Sequence, residues 1–216
     1  MKVISVVFSL LVMMNISAAA TADDIRIFTP ETIRQMIGPH PAKDSVEESR
    51  EFAILADYQR TRTTEQCRLA AKEESANLVT LFANEGGPLS KTEARILSIR
   101  FLQAYASAGI NIYLAKSLYD RPRPYVANPE LTPCIDKESS SAYPSGHTAL
   151  ARMFARLLSR IYPEREDAFM KRADEVAMNR VIGGVHHPSD IVAGKKLGDA
   201  MAEEVDDEEL MKMVME

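Results

Sequence analysis

Two histidines and an aspartate stand out because of what surrounds them. His147 follows Pro144-Ser145-Gly146 and opens an apolar run to Ile161, while His186 and Asp190 lie just beyond Arg180. A proline, a small hydroxyl residue, a glycine and a histidine in that order describe a tight turn feeding a helix N-terminus. There, unpaired N–H groups and the helix macrodipole both favour an anion. Arg180 shares a helical face with Phe169, Ala173, Val176 and Ala177, an expensive place for a cation unless an anion or carboxylate meets it. With Lys116 and Arg123, it makes a cationic set suited to a tetrahedral oxyanion such as phosphate. The imidazoles and the carboxylate supply what phosphoester cleavage requires. One imidazole attacks phosphorus, the aspartate orients it, and the second imidazole protonates the leaving oxygen. Taken singly, each residue has a plainer role as a surface charge, a helix-end charge or a cap. Taken together, they point to phosphoryl transfer.

The elements that must hold these residues read as helices. Ser45 with Glu48 forms a capping box, and apolar positions at three- and four-residue spacings predict one long helix or two in succession, ending near Phe82. Gly86-Gly87-Pro88 breaks the chain. Ser90 to Glu93 caps a second long helix running to about Tyr119, with Lys116 in its last turn. Arg121 and Arg123 each precede a proline, which forces extended backbone and ends the helix. The stretch 126–141 reads as loop. Helices follow over 148–162, from Pro163 to Gly183, and from about Val185 to Val205. The segment 23–44 is expected to wrap the surface with His40 solvated, and the acidic tail 203–209 to be exposed or frayed. The leaving-group pocket is expected from the loops 125–141 and 86–90. No useful strand alternation appears, so the expected class is all-α.

At 216 residues the chain has room for one well-buried core and not for two comfortable domains. A formal net charge of −5 argues against a general nucleic-acid binder but not against a local cationic pocket. Lys2, the apolar Val3 to Met14 and the small residues Ala18 to Ala22 read as a signal peptide over residues 1–20, cleaved at 20/21 or 22/23. That apolar core is short of the roughly 20 residues a membrane span needs. The expectation is a periplasmic protein with no stable membrane insertion and a single domain over 21–216. Cys67 and Cys134 are free to pair in an oxidising compartment, but their spacing does not establish that they meet, and they are a poor metal site.

The order Lys116-x6-Arg123-Pro124, Pro144-Ser145-Gly146-His147 and Arg180-x5-His186-x3-Asp190 resembles the three-part signature of the type 2 phosphatidic acid phosphatase superfamily, which also contains the vanadium haloperoxidases. Within it the chain looks most like the bacterial class A non-specific acid phosphatases, through Asp44-Ser45-Val46, Arg68-Leu69-Ala70-Ala71, 141–148 and Arg180-Val181-Ile182. The likeness runs from about Asp44 to Ala200. It implies a single compact helical domain hydrolysing small phosphomonoesters of broad specificity, with no cofactor and no metal. His186 would be the nucleophile, Asp190 would orient it, and His147 would act as general acid and then base. Lys116, Arg123, Ser145, Gly146 and Arg180 would bind the phosphoryl group. An acid optimum follows if His147 must be protonated to act. Asn179 stands where the family usually has Ser, His187-Pro188 replaces an aromatic-polar pair, and Ala142 replaces a common Gly. His187 is an alternative nucleophile by proximity, but the spacing to Asp190 favours His186. A vanadate-dependent haloperoxidase, a lipid-phosphate phosphatase and a non-enzymatic phosphate-binding protein are the competing readings. Nucleic acid is not expected as a partner, and a homo-oligomer is left open.

Overall fold

The computed structural model describes residues 26–215; the expected signal peptide lies outside them. The described residues contain helices and no strand, so the protein is all-α. The elements are α1 (Pro30–Ile37), α2 (Val46–Thr61), α3 (Thr64–Ala71), α4 (Leu78–Phe82), α5 (Lys91–Arg100), α6 (Leu102–Ser117), α7 (Pro124–Ala127), α8 (Gly146–Ile161), α9 (Glu166–Ile182), α10 (Pro188–Glu203) and α11 (Asp207–Met215).

Helix α8 is the central element. Its residues Ala149, Leu150, Ala151, Met153, Phe154, Ala155, Leu157 and Leu158 are all buried, and a helix apolar on nearly every side must be surrounded. Away from its ends, the stripe Arg152, Arg156 and Arg160 escapes, reaching Asp199 and Asp207. Helices α9 and α10 pack against it most extensively.

The approach of α10 depends on two glycines a turn apart. A Cβ on Gly194 would lie 2.7 Å from the Ser145 carbonyl oxygen, and one on Gly198 would lie 2.4 Å from that of Ala149. Glycine lets the two backbones touch. Hence the start of α10, with Asp190 in its first turn, lies beside the start of α8. The Ser145 amide donates to the Asp190 carbonyl at 3.0 Å.

Several boundaries differ from those read in the sequence. The proline-punctuated start contains α1, capped by Thr29 with Pro30 in the first position, and it buries Ile33 and Ile37. His40 is partly buried and edges against Tyr143 at 5.5 Å. The single helix or pair expected before Phe82 is three helices. The break after α3 turns Glu73 inward, where it is fully buried. The helix expected over 90–119 is interrupted at Phe101 (φ −89°, ψ 12°), whose ring stacks on Phe154. The acidic tail is exposed at Glu203, Asp206, Asp207 and Glu208, as expected, but it is not frayed. Val205 and Leu210 are buried, and Arg160 donates to the carbonyls of Ala202 and Val205. Cys67 and Cys134 form a disulfide, which ties α3 to the loop 128–145.

Candidate active site

The C-terminal end of α9, the N-termini of α8 and α10, and the segment leaving α6 converge at one end of the molecule. Helix α9 stops at Gly183, and Gly184 takes the left-handed φ of 80° that turns the chain back. The amides of Val185 and His186 then donate to the Arg180 carbonyl. Arg180 and His186 are therefore neighbours through local chain reversal.

His186 and Asp190 make the centre of the site. His186 Nδ1 lies 3.1 Å from Asp190 Oδ2, and its Nε2 lies 3.0 Å from Arg123 Nη1. A guanidinium can only donate, so Nε2 accepts and the proton sits on Nδ1, facing the carboxylate. Burial, followed by the charges of Arg123, Lys116, His147 and Arg180, holds His186 well below its usual range. The result is a neutral imidazole whose Nε2 lone pair faces a cationic cluster.

Asp190 also accepts from the His187 amide at 2.8 Å and from Arg121 Nη1 at 2.6 Å. An acid at the third helical position reaching back to the N-cap amide is ordinary capping chemistry, so the same contact starts α10 and aims the carboxylate. Burial pushes Asp190 up to about 7, while Arg121 and the His187 amide pull the other way. A protonated carboxyl would have to surrender one of its donor contacts, so this geometry serves the anion.

Arg123 is 2% exposed and fully engaged. Besides His186, it donates to the Val185 and Ser140 carbonyls, to Ser140 Oγ and to Glu138 Oε2 at 2.7 Å. Lys116 Nζ donates to the Ser141 carbonyl, and burial with the nearby Arg123 charge lowers it to about 7. A Cβ on Gly146 would meet Ile112 Cγ2 at 3.1 Å and Lys116 Cε at 3.8 Å, so Lys116 lies against the turn. Ser145 caps α8, its Oγ accepting from the Thr148 amide and hydroxyl.

His147 Nε2 lies 3.1 and 3.2 Å from the carbonyls of Glu73 and Glu74. Carbonyls only accept, so Nε2 carries the proton and Nδ1 is the bare nitrogen. Burial and the Arg180 charge lower His147 to about 4. Arg180 is 1% exposed and donates to the Ala70 carbonyl and to Glu73 Oε2, while its buried Nε has no partner among the described residues.

Glu73, Arg121, Glu51 and Glu138 escaped the sequence reading. Glu73 joins Arg172, Asn179 and Arg180, so Asn179 serves this carboxylate. Arg121 bridges Asp190, Ser189 and Glu51. Glu138 pairs with Arg123. A signal for Arg121 did exist: residues two apart in extended backbone share a side. Arg121 accordingly grips the carboxylate end of the dyad while Arg123 grips the imidazole end. His187, the alternative nucleophile, faces elsewhere. Its Nε2 lies 3.2 Å from the Pro122 carbonyl, its ring packs on Phe52, and its buried Nδ1 has no hydrogen bond among the described residues, with Glu51 Oε2 3.9 Å away. The 86–90 turn, expected beside the site, bonds instead to Phe82 and Arg165.

Comparison with known proteins places this arrangement. The PAP2 superfamily profile matches residues 98–203. A non-specific acid phosphatase of Salmonella typhi is 40% identical over 90 residues, covering 39% of this chain and 35% of that protein. A non-specific acid phosphatase of Providencia stuartii is 29% identical over 170 residues, covering 74% of this chain and 68% of that one. The chain thus spans about a third of the first relative's length and about two thirds of the second's. A bacterial vanadium-dependent iodoperoxidase shares the fold, with a TM-score of 0.58 at 17% identity over 82% of this chain and 54% of that one. The chain carries a PAP2 superfamily domain, and every candidate site residue lies within it.

Proposed function

We propose that the protein is an exported, metal-independent acid phosphatase that hydrolyses phosphomonoesters of broad specificity through a phosphohistidine on His186. The observation that carries this is the tautomer of His186: Nδ1–H is given to Asp190, and the Nε2 lone pair is turned toward Arg123. In the first step Nε2 forms a bond to phosphorus as the bond from phosphorus to the leaving oxygen breaks. His147 gives that oxygen a proton. Arg123 must shift its donation from Nε2 to a phosphoryl oxygen, joining Lys116, Arg180 and the amides at the start of α8. Spread positive charge of this kind stabilises the phosphoryl transition state. In the second step His147 takes a proton from water, the oxygen attacks phosphorus, and the N–P bond breaks to return His186 and phosphate.

The low value at His147, about 4, bears on the pH at which this works. In the free protein the imidazole is neutral over most of the acid range. A phosphate dianion beside it favours the charged form, so the transferable proton is held once substrate has bound. No helix among the described residues is long and apolar enough to cross a membrane. The test is His186→Ala assayed on para-nitrophenyl phosphate, with acid quenching of the wild type to trap phosphoenzyme. Retained turnover in the variant, or a vanadate requirement in place of vanadate inhibition, would sink the proposal.

A further inference from the structure

The cationic cluster already has a carboxylate in it. Glu138 Oε2 accepts from Arg123 Nη2 at 2.7 Å, and its charge is felt by Lys116, His147 and Arg180 as well. These are the cations assigned above to the phosphoryl group. Burial alone would raise Glu138; the Arg123, His147 and Lys116 charges outweigh it and hold the carboxyl below its usual value. Its side chain is 37% exposed, against 2% for its partner Arg123.

The loop beneath that side chain is pinned. Tyr125 donates its hydroxyl proton to the Glu138 carbonyl at 2.6 Å and accepts from the Glu138 amide at 2.9 Å. Arg123 holds Ser140 on one side of Glu138, and the disulfide at Cys134 holds the other. The backbone is therefore fixed while the carboxylate end faces solvent and has rotamers to leave by. Phosphate bound at His186 Nε2 would take over the Nη1 donation and bring a second anion beside the carboxylate on Nη2, and like charges that close repel each other.

We propose that Glu138 is an internal anion of the free protein, which holds the phosphoryl pocket and is displaced when phosphate enters. It thereby sets the affinity for phosphate and eases release of the product. The inference rests on the phosphatase reading for the identity of the ligand. Losing a charge-assisted competitor tightens phosphate binding by roughly ten- to a hundredfold.

The experiment is calorimetric titration of inorganic phosphate into the wild type, Glu138→Gln and Glu138→Ser, with far-UV circular dichroism on each. Glutamine keeps the size and loses the charge; serine removes the reach. Both variants are expected to bind phosphate at least tenfold more tightly, with product inhibition of turnover strengthened in parallel. Unchanged or weaker binding in folded variants would overturn the inference and leave Glu138 as a structural partner of Arg123. Tighter binding by variants of a protein that turns over no phosphomonoester would support the internal anion and refute the phosphatase. If neither wild type nor variants bind phosphate, both fall.

Discussion

Replacing Asp190 with asparagine exchanges one carboxylate oxygen for an amide, and the surrounding donors leave that amide no good orientation. Asp190 accepts from His186 Nδ1 (3.1 Å), the His187 amide (2.8 Å) and Arg121 Nη1 (2.6 Å). If the asparagine oxygen faces His186 and His187, its NH2 meets the Arg121 guanidinium, donor against donor. If it is flipped, the NH2 meets the His187 amide and drives the His186 proton onto Nε2. There it opposes Arg123 Nη1 and removes the lone pair needed for attack. Arg121 keeps Glu51 and Ser189 in either case, so the stability loss is that of one charge-assisted bond, about 1.5–3 kcal/mol. The activity loss is larger, because a wrong tautomer disables the nucleophile; it should be on the order of a thousandfold in kcat. Urea unfolding gives the first number, steady-state kinetics on para-nitrophenyl phosphate the second, and 15N histidine spectra report which ring nitrogen carries the proton. A variant that loses about 2 kcal/mol yet stays within tenfold of wild-type kcat would refute the reasoning and reduce Asp190 to a helix cap.

The other expectations follow from packing and burial. Glu73→Gln leaves Arg172 and Arg180, 8% and 1% exposed, facing an amide, and should cost about 3–5 kcal/mol in urea unfolding; a loss below about 1 kcal/mol would mean that water or another anion compensates. Gly198→Ala forces a Cβ to within 2.4 Å of the Ala149 carbonyl, so α10 must shift. It should lose about 1–3 kcal/mol and most activity, whereas Gly109→Ala, with open space at its Cβ, should gain up to about 1 kcal/mol from helix propensity. His147 and His187 are both lowered to about 4, and His186 lies well below 6.5. The contribution of His147 and His187 to stability is full above 6.5 and lost as pH falls through about 4, and His186 adds to it in the same sense. Thermal melting should show Tm falling from about pH 7 to about pH 4 and phosphate restoring part of it; a flat Tm would contradict the burial of these rings.

What could be read in the sequence and what could not divide along a physical line. His186 and Asp190 are four residues apart, and one turn of chain with a proline at the helix start is enough to bring them together. Local chemistry of that kind is written in spacing. The same holds for Ser145 as the cap of α8 and for the class of the fold, since periodicity and caps are local. The acids were missed because they arrive from far away. Glu73 reaches Arg180 across 107 positions and Glu51 reaches Arg121 across 70, and neither glutamate differs in its sequence neighbourhood from exposed ones close by, such as Glu74 and Glu47. A buried cation on an apolar face does announce that an anion must meet it, but not which one. That ambiguity has a chemical consequence here. Arg180 gives Nη2 to the Ala70 carbonyl and to a permanent carboxylate, Glu73, with its Nε unbonded among the described residues, whereas Arg123 is answered by Glu138, whose carboxylate end is solvent-exposed. The two arginines therefore enter the site in different states. One is a fixed charge already partly spent on the fold, and the other is a guanidinium whose outer edge can change partners. Phosphoryl binding should lean on Arg123 more than on Arg180, so lysine at 123 should harm phosphate affinity more than lysine at 180 harms it, relative to the stability each loses.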